Sequence, residues 1–299
     1  MHPARIFALG VLCVGLWLPW AVAAAPGVKH VIIIGCDGMR PDGVMTAKAP
    51  NMKQLMKSGS YTLHARGVMP TSSSPNWASM IMGAGPEQHG VTSNEWQPNK
   101  FEIAPTAVGS SGIFPTIFGT LRQQRPSAVM AVFHDWGDFA RLVELSALNT
   151  IEHPKGPVET TRRAIDYLKE NKPDFLFIHL DSVDHAGHEH GHGTPQYYQA
   201  VEEADGLIGE VVQALKETLI LDQTIILITA DHGGIGKRHG EPTMAEIEIP
   251  WILSGAGVNA GKEIRSPVNT YDTAATVAYI FGLTPPAPWI GKPVLEAFR

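Results

Sequence analysis

The chain is poor in cysteine: Cys13 and Cys36 are its only two. Cys13 falls inside an amino-terminal apolar segment, so a processed protein keeps one thiol and no internal disulfide can brace the fold. Basic charge is also scarce, with 23 Lys and Arg against 29 Asp and Glu and a net charge of −6. A surface of that sign argues against a nucleic-acid polymer as partner. Beyond the amino terminus no apolar run is long enough to cross a bilayer. What is present is a chain of 299 residues, 44% of them hydrophobic, with ordinary Gly, Pro and aromatic content. That is enough to bury a large core in one α/β domain.

Arg5 is followed by an apolar run from Ile6 to Val22, interrupted at Gly10, Gly15 and Pro19, and then by the small residues Ala21 to Ala25. This pattern predicts a secretory signal peptide over residues 1–23, cleaved after Ala21-Val22-Ala23, with residues 24–299 forming a single domain. Cleavage would remove Arg5 and no acid, leaving 22 bases against 29 acids, or −7. The expectation is an exported protein, periplasmic or secreted, with no stable membrane anchor once processed.

Three apolar runs rich in β-branched residues end in acids: Lys29 to Gly38 (KHVIIIGCDG), Asp174 to Asp181 (DFLFIHLD) and Thr224 to Gly234 (TIILITADHGG). Runs of this kind read as strands buried on both faces of a parallel sheet. Further strands are expected at Gly59–Val68, Ala128–Phe133 and Ile249–Leu253. Helices are expected at Pro50–Ser58, from Pro75 to about Met82, at Ile113–Gln124, Asp135–Leu142, Val158–Lys169, Gln196–Lys216 and Thr270–Phe281. The alternation predicts an α/β fold with a doubly wound, mostly parallel sheet and helices on both faces. The Pro- and Gly-rich segment 95–112 reads as a loop or small lid. In Gln196–Lys216, Tyr198, Val201, Ala204, Leu207, Ile208 and Val211 or Val212 form a packing stripe.

In open α/β sheets ligands bind beyond the carboxyl ends of the strands. Asp37 stands at the tip of the first run, the Asp231-His232 pair at the tip of the third. Asp184-x-x-x-His188 follows the second, and His239 lies between glycines further on. Three carboxylates and three imidazoles with no thiolate suit two Zn2+ ions in preference to Mn2+. Two such ions roughly 3.5 to 4 Å apart clamp the attacking and leaving oxygens of an in-line displacement, which favours phosphoryl transfer. His185, His190 and His192 crowd the same stretch and are read as neighbours of the ligand set or as solvent-facing. The four hydroxyls from Thr71 to Ser74 precede Pro75, where each is either a helix cap or a nucleophile at a helix start. A non-catalytic, zinc-binding exported protein would also account for the histidine tract. It leaves unexplained why the other ligands end separate strands.

These segments, taken in order, resemble the alkaline phosphatase superfamily and, within it, the type I phosphodiesterase/nucleotide pyrophosphatase family. The resemblance runs from KHVIIIGCDGMRPD through PTSSSPNWASMIMGAGPEQHGV, the DxxxH segment and TADHGG to RHGE, and on to IPWILSGAGV and YDTAATVAYIFGLTPP. It implies an alkaline phosphatase-like fold and a phosphohydrolase acting on a small phosphate ester. It further implies one zinc on Asp37, Asp231, His232 and the nucleophile, and another on Asp184, His188 and His239. The family's nucleophile stands two residues before Pro75-Asn76 and falls on Ser73, and its phosphate-binding asparagine, 21 positions later, falls on Asn94. Serine in place of the pyrophosphatases' threonine agrees with the phosphatase branch. Where nucleotide pyrophosphatases carry an aromatic residue after the nucleophile, this chain has Ser74, which leaves Trp77, Trp96 and Trp136 as candidate stacking faces. The x-Pro-x-Arg signature of sulfatases is absent from Ser73-Ser74-Pro75-Asn76-Trp77. A monoesterase needs an arginine or a third metal for its extra charge, and the sequence singles out no such arginine. The expectation is therefore a phosphodiesterase acting through a phosphoseryl intermediate, ahead of a phosphomonoesterase, a phosphonate hydrolase or a sulfatase.

Overall fold

The computed structural model describes residues 27–299. The expected signal peptide lies outside the described residues. Eight strands form one sheet: β1 (His30–Cys36), β2 (Gly59–Arg66), β3 (Met130–His134), β4 (Thr150–Glu152), β5 (Phe175–Leu180), β6 (Thr224–Thr229), β7 (Glu248–Gly255) and β8 (Lys262–Glu263). Their order is β4-β3-β5-β1-β6-β7-β2-β8. All neighbours are parallel except β6 with β7 and β7 with β2, so β7 alone runs against the rest. The mostly parallel sheet expected from the apolar runs is what forms. Every residue of β1, β5 and β6 is buried, as strands covered by helices on both faces must be.

The helices fall into two packed groups. Pro41–Thr46, Pro50–Ser58, Pro157–Asn171 and Ser182–His190 pack around the long helix Pro195–Glu217, whereas Ser73–Met82, Ile117–Gln124 and Asp272–Phe281 pack on one another. Pro195–Glu217 starts with Thr194 capping Tyr197 N and with Pro195 in its first turn, the arrangement that suits a helix start. Its buried stripe includes Tyr197 and Val211, with Tyr198 and Val212 only half-buried. The expected Tyr198 is thus displaced by its neighbour, because Tyr197 has a polar task inside. Its hydroxyl donates to Gly38 O (2.9 Å) and accepts from Arg40 N (2.8 Å), which holds the turn after β1.

The loop ends that matter all lie at the carboxyl edge of the parallel strands. Asp37 follows β1 directly, the 182–190 helix follows β5, Asp231 and His232 follow β6, and the helix starting at Ser73 follows β2. Segment 97–116 holds no helix or strand beyond the bridge Gln97–Lys100. It is tied to its neighbour by Thr92 Oγ1 to Glu102 (2.6 Å) and Thr106 N to Gln88 O (2.8 Å).

Candidate metal centre

The sheet edge brings Asp37, Ser73, Asp184, His188, Asp231, His232 and His239 into one cleft. His232 organises the inner half. Its Nδ1 donates to Gly233 O at 2.8 Å, which leaves Nε2 with a lone pair. That Nε2 lies 3.4 Å from Asp37 Oδ1, 3.3 Å from Asp231 Oδ2 and 3.3 Å from Ser73 Oγ. Asp37 Oδ1 and Asp231 Oδ2 are both buried with no hydrogen-bond partner. Lone pairs facing lone pairs in a dry pocket call for a cation between them. The donor set therefore fits a metal on this structure's own geometry.

The outer half repeats the logic. His188 Nδ1 donates to Lys237 O (2.9 Å) and His239 Nδ1 to Thr71 O (2.8 Å), so both Nε2 atoms turn inward and meet at 3.1 Å. Asp184 Oδ2 is 3.1 Å from His188 Nε2 and 3.9 Å from His239 Nε2. Asp184-His188-His239 and Asp37-Asp184-His232 each form a group able to hold an ion, with Asp184 common to both. His188 is 46% exposed, whereas Asp37, Asp231 and His232 are sealed. The outer position is the one open to solvent.

Burial and like charge act together on the carboxylates of the cleft. Burial, then the Asp231 and Asp184 carboxylates, push Asp37 well above the usual carboxylate range, and burial and Asp184 do the same to Asp231. At Asp184 burial also raises the pKa, but the imidazoles of His188 and His192 beside it outweigh that and hold the carboxyl below its ordinary value. The bond to Asp184 lifts His188 to about 9, while burial and the neighbouring His232 lower His239 to about 4.

Of the four hydroxyls, the fold turns only Ser73 toward the cluster. Thr71 is buried, its one hydroxyl proton is shared between Glu246 and Glu241 O (3.0 Å each), and it accepts from Gly240 N, so it ties the His239 loop down. Ser72 is the cap position, and Ser74 Oγ is taken by Arg141. Asn76 explains the Pro-Asn pair physically. Its Oδ1 accepts from Val68 N (2.6 Å) and its Nδ2 donates to Val68 O, Pro70 O and Ser72 O (3.2, 3.1 and 3.0 Å), which clamps the loop that carries Ser73.

Asn94 sits beside this loop, its Oδ1 accepting from Ser74 N at 2.8 Å. That bond fixes the amide and leaves Nδ2 to donate elsewhere. With Ser74 N committed and Pro75 lacking an N–H, the helix start offers a phosphoryl group little beyond the amide of Ser73 itself. His185 and His190 are exposed beside Glu189, at 3.6 and 3.7 Å, and do not reach the cluster. His192 is buried, with Nε2 3.5 Å from Asp184 Oδ1. Trp77 and Trp96 are buried, so neither can stack on a ligand.

Trp77 has a different task. It donates from Nε1 to Asp37 Oδ2 (3.0 Å), and His179 Nε2 meets the same oxygen at 3.2 Å. Burial lowers His179 to about 4, so it is neutral and donates. Sequence reasoning passed over His179, although a histidine within an apolar strand was a signal. It also passed over Arg141, which reaches Ser74 Oγ (3.1 Å) and the Asn94 carbonyl from the short helix Gly137–Leu142. An arginine among Phe139, Ala140 and Leu142 carries no pattern that marks it.

This mostly parallel sheet, with Asp/His clusters at its carboxyl edge, has the fold of alkaline phosphatase-like structures. In structure it is similar to alkaline phosphatase PafA, with a TM-score of 0.76 at 12% identity over 92% of this chain and 100% of that one. It is similar also to murine ectonucleotide pyrophosphatase/phosphodiesterase 5, with a TM-score of 0.72 at 14% identity over 86% and 96%. The family model of type I phosphodiesterase/nucleotide pyrophosphatase matches residues 31–236, and the chain belongs to that family. A curated relative is GPI ethanolamine phosphate transferase 1 of Yarrowia lipolytica, 27% identical over 315 residues that cover 90% of this chain. The chain spans only about a third of that protein's length (33%).

Proposed function

We propose that this chain is an exported phosphohydrolase that uses two zinc ions and cleaves phosphate esters through a phosphoseryl intermediate on Ser73, phosphodiesters being the class its family suggests. The observation that carries the reading is the convergence of Ser73 Oγ, His232 Nε2 and two unpartnered buried carboxylate oxygens around one point. Asp37, Asp231, His232 and Ser73 would hold one zinc, and Asp184, His188 and His239 the other. Bound there, the ions supply Lewis acidity that lowers the pKa of a hydroxyl and offsets charge on a departing oxygen.

The chain's own residues do the rest. Asn76 and Thr71 hold the loop so that Ser73 Oγ faces phosphorus in a fixed direction. Trp77 and His179 anchor Asp37 Oδ2 and thereby aim Oδ1 into the cleft. Asn94 Nδ2 donates to a non-bridging phosphoryl oxygen. As the Ser73 Oγ–P bond forms, the ester P–O bond breaks, and its oxygen leaves with the bonding pair toward the open side beside His188 and takes up the proton that Ser73 gives up. Water then cleaves the phosphoseryl ester and restores the hydroxyl. Transfer to an alcohol instead of water is favoured by one finding, the similarity to a phosphate transferase.

The test is hydrolysis of bis-p-nitrophenyl phosphate, thymidine 5′-monophosphate p-nitrophenyl ester and p-nitrophenyl phosphate, before and after chelation, beside metal analysis of the purified protein. Chelator-sensitive turnover with two zinc per chain is expected. A chain that binds metal only through its histidine tract and cleaves none of these esters would overturn the reading. Added alcohol that diverts the phosphoryl group would establish transfer.

A further inference from the structure

His192 belongs to the histidine tract, yet its side chain is sealed from solvent, whereas those of His185 and His190 are 74% and 40% exposed. The backbone is shaped around its ring. A Cβ at Gly187 would stand 2.4 Å from the ring Cε1 and Nε2, and one at Gly234 would stand 2.3 Å from Cε1. Neither glycine has left-handed backbone, so neither is there for the path of the chain. Both leave out a side chain where the imidazole tip sits. Gly187 stands between Asp184 and His188, and Gly234 ends the run that carries Asp231 and His232.

Two acceptors bracket the ring. Nδ1 is 3.1 Å from Gly236 O, and Nε2 is 3.5 Å from Asp184 Oδ1. Nε2 and Oδ1 are both buried with no hydrogen-bond partner. A lone pair on Nε2 would face those of the carboxylate, so a metal ion or a proton has to separate them. The Asp/His groups able to hold an ion among the described residues all leave His192 out, which leaves the proton. Nδ1–H then serves Gly236 O, and Nε2–H serves Asp184 Oδ1. Oδ1 also lies against Gly38, where an added Cβ would come within 2.6 Å of it. It is thus held between a ring and a backbone, while Oδ2 is the oxygen 3.1 Å from His188 Nε2.

We propose that His192 is a positioning residue for the metal centre: its ring holds Asp184 Oδ1, so that Oδ2 is presented to the outer position, and it does not itself ligate. The inference rests on the two-zinc reading above. Asp184 is common to the inner and outer groups of the cleft, so the residue that aims it governs how tightly the more open position is held. Partners of this kind behind a ligand contribute about 10- to 100-fold to metal affinity.

The experiment withdraws zinc from the loaded protein with increasing chromogenic chelator and compares wild type with His192→Phe and His192→Gln. His188→Ala identifies which of the two affinities belongs to the outer position. Phenylalanine fills the same cradle without a ring nitrogen, so it should weaken the outer zinc about 10- to 100-fold, with a smaller effect on the inner one. Glutamine, which keeps an N–H donor, should recover part of that loss. Unchanged zinc affinity in His192→Phe would mean that the ring only fills space, and the proposal fails. Complete loss of the outer zinc in both variants would make His192 a ligand, which overturns it as well. An equal loss at both positions together with earlier urea unfolding would mark a general defect of the fold, and the proposal fails again. A wild type that holds fewer than two zinc ions overturns the two-zinc reading, and this inference with it.

Discussion

His89 allows a test of the fold's acid sensitivity that is independent of the metal ligands. It ends the helical turn Pro86–His89, is 1% exposed, and is locked neutral by its two partners. Nδ1 accepts from Val91 N at 3.0 Å, so the ring proton sits on Nε2 and is donated to Ser79 Oγ at 2.9 Å. Burial lowers its pKa from 6.5 to about 3. The unfolded chain takes up a proton near 6.5 and the folded one does not, so this histidine's contribution is full above 6.5 and is lost as the pH falls toward 3. At pH 5.0 the loss is 1.5 units at about 1.4 kcal/mol each, or roughly 2 kcal/mol. The perturbation is His89→Gln, which keeps an acceptor and a donor but cannot take up the proton. Urea unfolding at pH 7.5 and pH 5.0, with zinc supplied equally to both proteins, reads the difference. The variant starts less stable but should lose about 2 kcal/mol less between the two pH values. The same pH dependence in both proteins would refute the claim that His89 is held neutral.

The remaining predictions concern the cleft. Ser73→Ala should lower turnover by roughly 10³-fold or more while zinc stays bound, measured by steady-state kinetics and metal analysis; full activity would move the nucleophile to another hydroxyl. Asn76→Ala removes the one accepted and two donated hydrogen bonds its amide can make at once among four part-buried contacts, which at about 1 kcal/mol each costs roughly 3 kcal/mol in urea unfolding, and activity should fall as the Ser73 loop loosens. Stripping the metal removes a ligand worth about 4 kcal/mol at a thousand times its Kd, so the melting temperature should drop by roughly 10 °C and recover on adding zinc. Gly35→Ala drives a methyl into the Trp77 indole, an overpacking cost of about 1 to 3 kcal/mol. Because Trp77 also holds Asp37 Oδ2, zinc affinity should weaken in the same variant, as titration against a chromogenic chelator would read.

Much of the fold was legible because burial on both faces leaves a plain mark. The runs in β1, β5 and β6 are continuous and apolar since no face of those strands meets water, and each ends in the acid that the loop presents. The helix Pro50–Ser58 was delimited by the proline at its start and the glycine after it. β4 and β8 left no such mark. They have three and two residues, are only partly buried or exposed, and exist through pairing with β3 and β2 rather than through any pattern of their own. The reversed direction of β7 was equally silent, because an apolar strand reads the same from either end.

The cleft divides in the same way. Asp37, Asp184, His188, Asp231, His232 and His239 could be picked out because glycines and strand ends surround them, and that local syntax survives in one dimension. His179 and Trp77 act on Asp37 from the side, and Glu246 and Arg141 on the loops at Thr71 and Ser74 that border the cleft. Trp77 reaches Asp37 across 40 positions, His179 across 142, and Glu246 meets Thr71 across 175. Each looks like packing in its own neighbourhood, and each becomes polar machinery only where the sheet edge closes. Arg141 is the sharpest case, since its helix reads as an ordinary connector until the Ser74 hydroxyl and the Asn94 carbonyl arrive beside it. The candidate ligands are thus marked locally, whereas the groups that aim them, such as Trp77 and His179 on Asp37, are written in contacts that only the fold makes.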